Sequence, residues 1–146
     1  MDARVPLHAE PSLNEAEVRA RVAGARVATL ATIDPDGRPN LVPVTFVLDG
    51  DTLYTAVDHK PKTTRALKRL ANVERDPRVT LLVHSYAEDW DELWWCRLRG
   101  VARVTDGAPQ AFGVKYEQYR GRLPDGPVIA VAVENWTGWS AKQGEG

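Results

Sequence analysis

Residues 26–57 have the sequence RVATLATIDPDGRPNLVPVTFVLDGDTLYTAV, and this stretch decides the predicted fold. Its first part, residues 26–33, is apolar and β-branched, which favours a buried strand. The segment Asp34-Pro35-Asp36-Gly37 predicts a turn, because proline presets one backbone angle and glycine supplies a positive one. Two more strands are predicted over residues 40–48 and 52–57, with a hairpin turn at Asp49-Gly50 between them. Three strands joined by tight turns indicate an antiparallel meander.

The rest of the chain extends this pattern. Ser12 and Glu15 have the spacing of a capping box, which predicts a helix that ends near Gly24. Further strands are predicted over residues 79–86, 93–104 and 128–135, and helices over 63–75 and 108–119. Six strands, mostly connected by hairpins, predict a mainly β protein with short helices: a closed or half-closed antiparallel barrel. Because residues 26–33 are apolar on both faces, we expect one face to meet a partner subunit.

Composition narrows the class of protein. A chain of 146 residues predicts a single domain over 1–146. Residues 1–11 are predicted to form a polar leader. Residues 137–146 are predicted to be a polar end, and its last part, 140–146, a tail. The 19 basic and 20 acidic residues give no overall attraction to nucleic acid or anionic membranes. One cysteine, Cys96, cannot form an internal disulfide. No stretch is apolar and long enough for a membrane span or a signal core, so we expect a soluble cytoplasmic protein.

Residues 54–72, YTAVDHKPKTTRALKRLAN, carry the clearest functional pattern. Lys60 and Lys62 come just before a predicted helix start, and Thr63 stands at the start itself. Free backbone N–H groups and the helix dipole favour an anion there, so these residues predict a phosphate site. The alternative is an ordinary solvated helix face, which is the interpretation favoured for Lys68 and Arg69.

Pro43 and the tryptophans give weaker indications. Proline cannot donate to a sheet ladder, so Pro43 belongs on an edge strand or where the backbone from Pro43 to Thr45 faces a flat ring. Trp94 and Trp95 are neighbours in one strand and must point to opposite faces. Trp95 shares its face with Arg97 and with the other alternating arginines, Arg99 and Arg103. That face is predicted to be wet, ligand-lined or part of a dimer contact.

Several chemistries find no support in the sequence. It contains no Gly-x-Gly-x-x-Gly, no Walker loop and no His-Glu-x-x-His. His59 and His84 have no ligand partner at metal-binding spacing, so no metal is expected. Neighbouring strand residues face opposite ways, which argues against His84 and Ser85 as a nucleophile pair. Cys96 is interpreted as a small core residue. No catalytic side chain is assigned, and the hard chemistry is expected to belong to a cofactor.

The order of three segments resembles a known family. They are ATLATIDPDGRPNLVPVTFVLDG over 28–50, LYTAVDHKPKTTRALKRLANVERDPRVTLLV over 53–83 and RLRGVARV over 97–104. Together they resemble the pyridoxamine 5′-phosphate oxidase-like, flavin-binding split-barrel superfamily. Within it, the chain is most similar to the branch that uses the deazaflavin coenzyme F420. The segment ENWTGWSA over 134–141 resembles one subgroup of F420-dependent enzymes.

The resemblance implies a homodimeric split β-barrel with two cofactor sites at the subunit interface. Lys60 and Lys62 would bind the cofactor phosphate, with Thr63 beside them. The remaining implied cofactor-binding residues are Pro43, Val44 and Thr45, facing the ring system, Tyr54, Thr55 and Ala56 at a strand end, and Trp139, reaching the ring across the dimer. The implied reaction is hydride transfer between coenzyme F420 and a small organic acceptor, an oxidoreductase activity.

Departures from the family pattern leave alternatives open. Where true pyridoxamine phosphate oxidases carry an Arg-x-Val-Leu-Leu-Lys strand, this chain has the uncharged residues 41–46, and it lacks their substrate-phosphate pattern. Vitamin B6 oxidation is therefore not expected, and FMN is the second choice of cofactor. A non-catalytic F420-binding protein is another alternative. Nucleic-acid binding through residues 60–69 is disfavoured by the near-neutral charge. Arg97 and Tyr86 are possible proton donors to which no role is assigned.

Overall fold

A computed structural model of the chain describes residues 12–56 and 64–142, and for residues 64–67 it describes the backbone alone. The helices are α1, Glu15–Gly24, α2, Thr64–Arg75, and α3, Ala111–Lys115, with short 3₁₀ turns at Trp90–Glu92 and Glu117–Tyr119. The strands are β1, Ala28–Ile33, β2, Pro39–Val44, β3, Val47–Asp49, β4, Thr52–Ala56, β5, Arg78–Ser85, β6, Trp94–Thr105, and β7, Val128–Ser140.

All the described strands belong to one antiparallel sheet, in the order β2-β1-β5-β6-β7-β4-β3. The sheet curls into a half-barrel, with β2 and β3 at its two edges. The prediction of a mainly β fold with short helices is thus confirmed, and the expected strand count of six is wrong, because the described residues form seven. Both predicted turns are present, and their glycines, Gly37 and Gly50, have the positive φ angles of +88° and +62° that such turns require.

The extra strand arises where the predicted strand over 40–48 divides into β2 and β3. Thr45 and Phe46 between them are not part of a strand. The Tyr116 hydroxyl accepts a hydrogen bond from the Phe46 N–H and lies equally close to the Phe46 carbonyl oxygen, at 3.0 Å in each case. A side chain therefore takes the place of a neighbouring strand at this point, and the chain passes from one edge of the sheet to the other.

The core fills the inner face of the curled sheet. Alternate residues of each strand point inward, and those with no exposure include Leu30, Leu53, Leu81, Leu98 and Val131. Helix α1 covers this face with Val18 and Val22, and α2 adds Val73. We call the opposite side of the sheet the outer face. Its exposed apolar residues include Leu41, Leu82 and Val101.

The helices differ in detail from the predictions. The capping box at α1 is formed by Asn14 and Glu17, each side chain accepting the other's backbone N–H at 2.8 Å, and not by Ser12 and Glu15. Ser12 instead accepts a hydrogen bond from the Ser140 N–H. The predicted helix over 108–119 is only the short α3 and a 3₁₀ turn. No helix within residues 12–56 and 64–142 is long and apolar enough to span a membrane.

Strand β7 is longer than predicted. It runs to Ser140, and its last part pairs with the start of β6, placing Trp139 opposite Trp95. The ladder shifts register between Arg99 and Gly100, which pair with Asn135 and Val133. This bulge accommodates Glu134, which is the extra residue of β7 and has no partner of its own in the register with β6. The prediction that the polar end begins at residue 137 is therefore wrong for residues 137–140, which belong to β7.

Candidate functional site

The edge strand β2 carries the first predicted site residue. Pro43 is exposed and pairs with Thr29 of β1, and no described strand lies on the other side of β2. An edge is where a sheet tolerates a residue that lacks a backbone N–H. The edge position is thus sufficient to explain a proline here. It also leaves main-chain groups of β2 available to a flat ligand. Both sequence-based interpretations of Pro43 are compatible with this geometry.

Val44 and Thr45, which follow Pro43, lie in different surroundings. The Val44 side chain is buried in the core, so this residue could offer a ligand only its backbone. Thr45 lines a cavity of about 570 Å³ together with Arg26, Tyr116 and other residues of the same region. We call this space the Thr45 cavity. It lies beside the point where Tyr116 interrupts the edge of the sheet.

The end of β4 supplies the next three predicted residues. Thr55 pairs with Ile129 and faces the core, where its hydroxyl oxygen is buried and has no hydrogen-bond partner in the part of the chain that the structure describes. Tyr54 and Ala56 face the other way and pack against the cluster of Phe112 and Tyr119. A buried hydroxyl without a partner costs free energy, so the Thr55 side chain is a donor that a ligand near this strand end could satisfy. The predicted phosphate ligands Lys60, Lys62 and Thr63 lie outside the described residues.

Helix α2 is fixed to the sheet by a polar cluster. The buried Asn72 side-chain amide donates hydrogen bonds to Thr32 Oγ1 at 3.1 Å and to Asp34 Oδ1 at 2.9 Å. Its oxygen accepts a hydrogen bond from Arg75. The hydrogen bond from Asn72 holds the pKa of Asp34 below its ordinary value. Lys68 acts in the same direction, since its Nζ lies 3.4 Å from Asp34 Oδ2. The interpretation of Lys68 as part of a solvated helix face is consistent with its exposed side chain.

Arg69 is the functional candidate that sequence reasoning missed. The sequence predicts a solvated helix face for it, yet it is half-buried, and its Nε is a buried donor without an acceptor among the described side chains and backbone. Burial lowers the pKa of this guanidinium. No ion pair of Arg69 with another described residue is present. Helical periodicity distinguishes the side of a helix and not how deep a long side chain lies, so the sequence alone carried no signal for this burial.

The outer face brings together Trp95, Arg97 and Trp139. The guanidinium carbon of Arg97 lies 5.3 Å from the centroid of the Trp95 ring, close enough for a cation–π contact. Arg97 Nε is buried and has no acceptor among the described residues. Trp139, predicted to reach a cofactor ring, is a buried strand residue opposite Trp95, with 6% of its surface exposed. Its predicted role across a subunit interface stays a prediction.

Cys96 and Lys115 also have shifted pKa values. Burial raises the pKa of the Cys96 thiol to about 11, which agrees with its interpretation as a core residue. Burial, together with the nearby Arg26, lowers the pKa of Lys115 to about 8. The Lys115 ammonium lies 3.8 Å from the centroid of the Phe46 ring. Within the described residues no cluster of three or more potential metal ligands occurs.

Solved structures share this fold. A conserved hypothetical protein from Mycobacterium tuberculosis matches at 25% identity with a TM-score of 0.69, over 92% of this chain and 89% of that one. A protein named F420 reductase matches at 20% identity with a TM-score of 0.59, over 82% and 94%. An FAD-binding protein from Mycobacterium smegmatis matches at 19% identity with a TM-score of 0.58, over 86% and 93%.

Two further comparisons bear on the family. No curated protein matched the chain. The family model described as pyridoxamine 5′-phosphate oxidase matches residues 15–140. That match extends from the first residue of α1 to the last residue of β7, and so it includes every strand of the sheet. The chain therefore belongs to the pyridoxamine 5′-phosphate oxidase family.

Proposed function

We propose that this protein is an oxidoreductase that binds coenzyme F420 and uses it for hydride transfer with a small organic acceptor. The observation that carries the proposal is Arg69, a half-buried guanidinium on the helix that directly follows Lys60, Lys62 and Thr63. Its Nε has no acceptor among the residues that the structure describes. A buried cation without a counter-charge is unfavourable unless an anion completes the site. A cofactor phosphate held by this helix start would be such an anion.

The described residues fit a flat, phosphate-bearing cofactor. The exposed edge at Pro43 offers main-chain contacts to a ring, and the Thr55 hydroxyl offers an unpaired donor at the end of β4. When bound, a deazaflavin supplies two-electron hydride chemistry. The protein would contribute binding, orientation and exclusion of water, because no acid–base pair is evident among the described side chains.

The choice of coenzyme F420 over FMN rests on the uncharged residues 41–46 and on the sequence resemblance to the F420-dependent branch. One structure that shares the fold is an F420 reductase, which supports the same choice. FMN remains the second candidate, since the fold is shared with proteins that bind FAD, a related flavin. A non-catalytic role in binding F420 would use the same residues without an acceptor.

A homodimer is part of the proposal. The outer face exposes Leu41, Leu82 and Val101, at 63%, 38% and 40% of their surfaces, in a sheet whose other face is filled by the core. Exposed apolar residues gathered on one face are typical of a subunit contact. Sedimentation velocity should show a dimer, and Leu41→Asp should shift it toward monomer. Val114→Asp, at an 82% exposed position on α3, is the matched control and should leave the dimer intact.

The first experiment is a side-by-side titration of the cofactor-free protein with coenzyme F420 and FMN, followed by fluorescence. We expect tighter binding of F420. A preference for FMN would move the function to a flavoprotein, and binding of neither would contradict the proposal.

Variants then test the phosphate ligands. Lys62→Ala and Arg69→Met should each weaken F420 binding by roughly ten- to a hundredfold, because a charged hydrogen bond contributes ~1.5–3 kcal/mol. Lys68→Ala is the control, since this lysine belongs to the same basic segment and pairs with Asp34. Equal losses in all three variants would indicate general electrostatics and not a defined phosphate site.

A further inference from the structure

We propose that a cavity on the outer face, lined by Leu82, His84, Tyr86, Trp95 and Arg97, binds a flat, largely apolar organic molecule that carries one anionic group. The cavity has a volume of about 410 Å³, within the range of small-molecule sites. None of its lining residues was assigned to cofactor binding. The inference deepens the proposed function by giving the chemical class of the acceptor, and in that respect it rests on that function.

The register of two strands builds the cavity. Leu82 pairs with Arg97 and His84 pairs with Trp95 across β5 and β6, so these four side chains form two rows on the outer face. Tyr86 follows β5 and contacts the His84 ring edge-on, with the centroids 5.9 Å apart. The indole, the leucine and the tyrosine give apolar walls. Such walls favour a planar apolar molecule over a sugar or a peptide.

Arg97 supplies the charge recognition. Its guanidinium carbon lies 5.3 Å from the centroid of the Trp95 ring, and the planar fork of N–H donors of an arginine matches the geometry of a carboxylate. Among residues 12–56 and 64–142, its buried Nε has no acceptor and no carboxylate forms an ion pair with it. The residues opposite it on both sides, Leu82 and Thr137, are uncharged. The cavity therefore holds a cation that no described residue compensates, beside an aromatic wall, and an aromatic or conjugated carboxylate complements both.

The sheet also relates the cavity to the proposed ring position. Pro43, Thr29, Leu82 and Arg97 are directly paired across β2, β1, β5 and β6. Adjacent strands lie about 4.8 Å apart, so Leu82 is roughly 10 Å from Pro43 along this row. A molecule anchored on Arg97 would extend over Leu82 and Thr29 toward a ring that contacts β2. The row lies on the proposed subunit interface, and the partner subunit would close the cavity over its ligand.

The test uses 2-naphthoate as the probe and the neutral, isosteric 2-naphthamide as its partner, with binding to the cofactor-free protein measured by calorimetry. We expect wild type to bind the carboxylate at least about tenfold more tightly than the amide, as a charged hydrogen bond predicts. Arg97→Gln should remove this preference and change the amide affinity by less than about threefold. Arg99→Gln is the matched control, since Arg99 lies on the same face and outside the cavity.

Equal affinity of wild type for the two probes would overturn the inference, and so would an equal loss in the Arg97 and Arg99 variants. If Arg97→Gln does not fold, Arg97→Met, which also removes the charge and keeps an apolar stem, gives the same comparison, and wild type alone already tests the preference for the anion. The F420 titration separates this inference from the proposed function. Carboxylate selectivity without cofactor binding would support the cavity and contradict the function, whereas F420 binding without carboxylate selectivity would do the reverse.

Discussion

The Tyr116 hydroxyl is hydrogen-bonded to the backbone of Phe46, 70 residues earlier in the chain, and this contact marks the division of the sheet between β2 and β3. The oxygen accepts the Phe46 N–H, and its single proton lies within reach of the carbonyl oxygens of Phe46 and Arg26. Phe46 itself is fully buried. The same tyrosine lines the Thr45 cavity, so one side chain shapes both the fold and the candidate site.

Tyr116→Phe should therefore destabilise the protein by about 1–3 kcal/mol, because the Phe46 N–H loses its acceptor in a poorly solvated position. Urea denaturation measures this loss. Tyr86→Phe is the control, since Tyr86 is 64% exposed, and it should change the free energy of unfolding by less than about 0.5 kcal/mol. Equal stability of the two variants would show that water replaces the tyrosine hydroxyl at Phe46.

This contact also explains what the sequence could and could not predict of the fold. The turns at Gly37 and Gly50 depend on local backbone chemistry, and they were predicted correctly. The break after Val44 depends on Tyr116, and a residue so distant in sequence leaves no local signal. The continuation of β7 to Ser140 likewise depends on its pairing with β6 across a bulge. Local patterns are predictable, whereas interruptions and bulges created by remote neighbours are not.

The candidate site likewise has features that the sequence could predict and features that it could not. The exposed edge at Pro43 follows from the chemistry of proline and was among the predicted positions. The depth of Arg69 and the pairing of Leu82 with Arg97 depend on how α2 and the strands pack, so neither was predicted. Assigning Arg97 and Trp95 to one face was correct, because strand alternation is a local rule. The sequence did not show which residues of the neighbouring strands would pair with them.

Gly100 tests the importance of the bulge between β6 and β7. A Cβ atom at this position would lie 2.2 Å from the carbonyl oxygen of Ala132, and a backbone atom cannot rotate away. Gly100→Ala should therefore destabilise the protein by about 3 kcal/mol, the upper end of the usual overpacking cost. Thermal or urea denaturation measures the effect.

Gly24→Ala is the control for this substitution. A Cβ at Gly24 meets nothing within 4 Å, and the residue ends α1. Alanine is favoured over glycine in helices by up to about 1 kcal/mol, so this variant should be as stable as wild type or slightly more stable. A Gly100→Ala protein with wild-type stability would mean that the β6–β7 ladder shifts at little cost.

Cys96 should be unreactive in the folded protein. Its side chain has no exposed surface, and burial raises the pKa of the thiol from 9.0 to about 11. The higher pKa alone lowers the thiolate fraction, and with it the rate of thiol modification, by about a hundredfold. A dithionitrobenzoate assay should therefore detect almost no thiol until denaturant is added. Gln118→Cys, at an exposed position, should react at once with about one thiol per chain. Rapid labelling of the native wild type would show that β6 opens locally.

Lys115 should make the stability of the protein depend on pH in the alkaline range. Burial and the neighbouring Arg26 lower its pKa from 10.5 in the unfolded chain to about 8 in the folded protein. Between these two values the unfolded state binds more protons, so the contribution of Lys115 to stability increases as pH rises through this window.

Lys115→Met keeps the apolar stem and removes the titration. We expect the urea midpoint of wild type to rise relative to that of the variant as pH rises from 8 to 10.5. The exposed Lys142, whose Nζ lies 3.6 Å from a Glu92 carboxylate oxygen, provides the variant Lys142→Met as the control for removing one lysine charge from the surface. A constant difference between wild type and Lys115→Met across this range would mean that the ammonium beside Phe46 keeps its ordinary pKa.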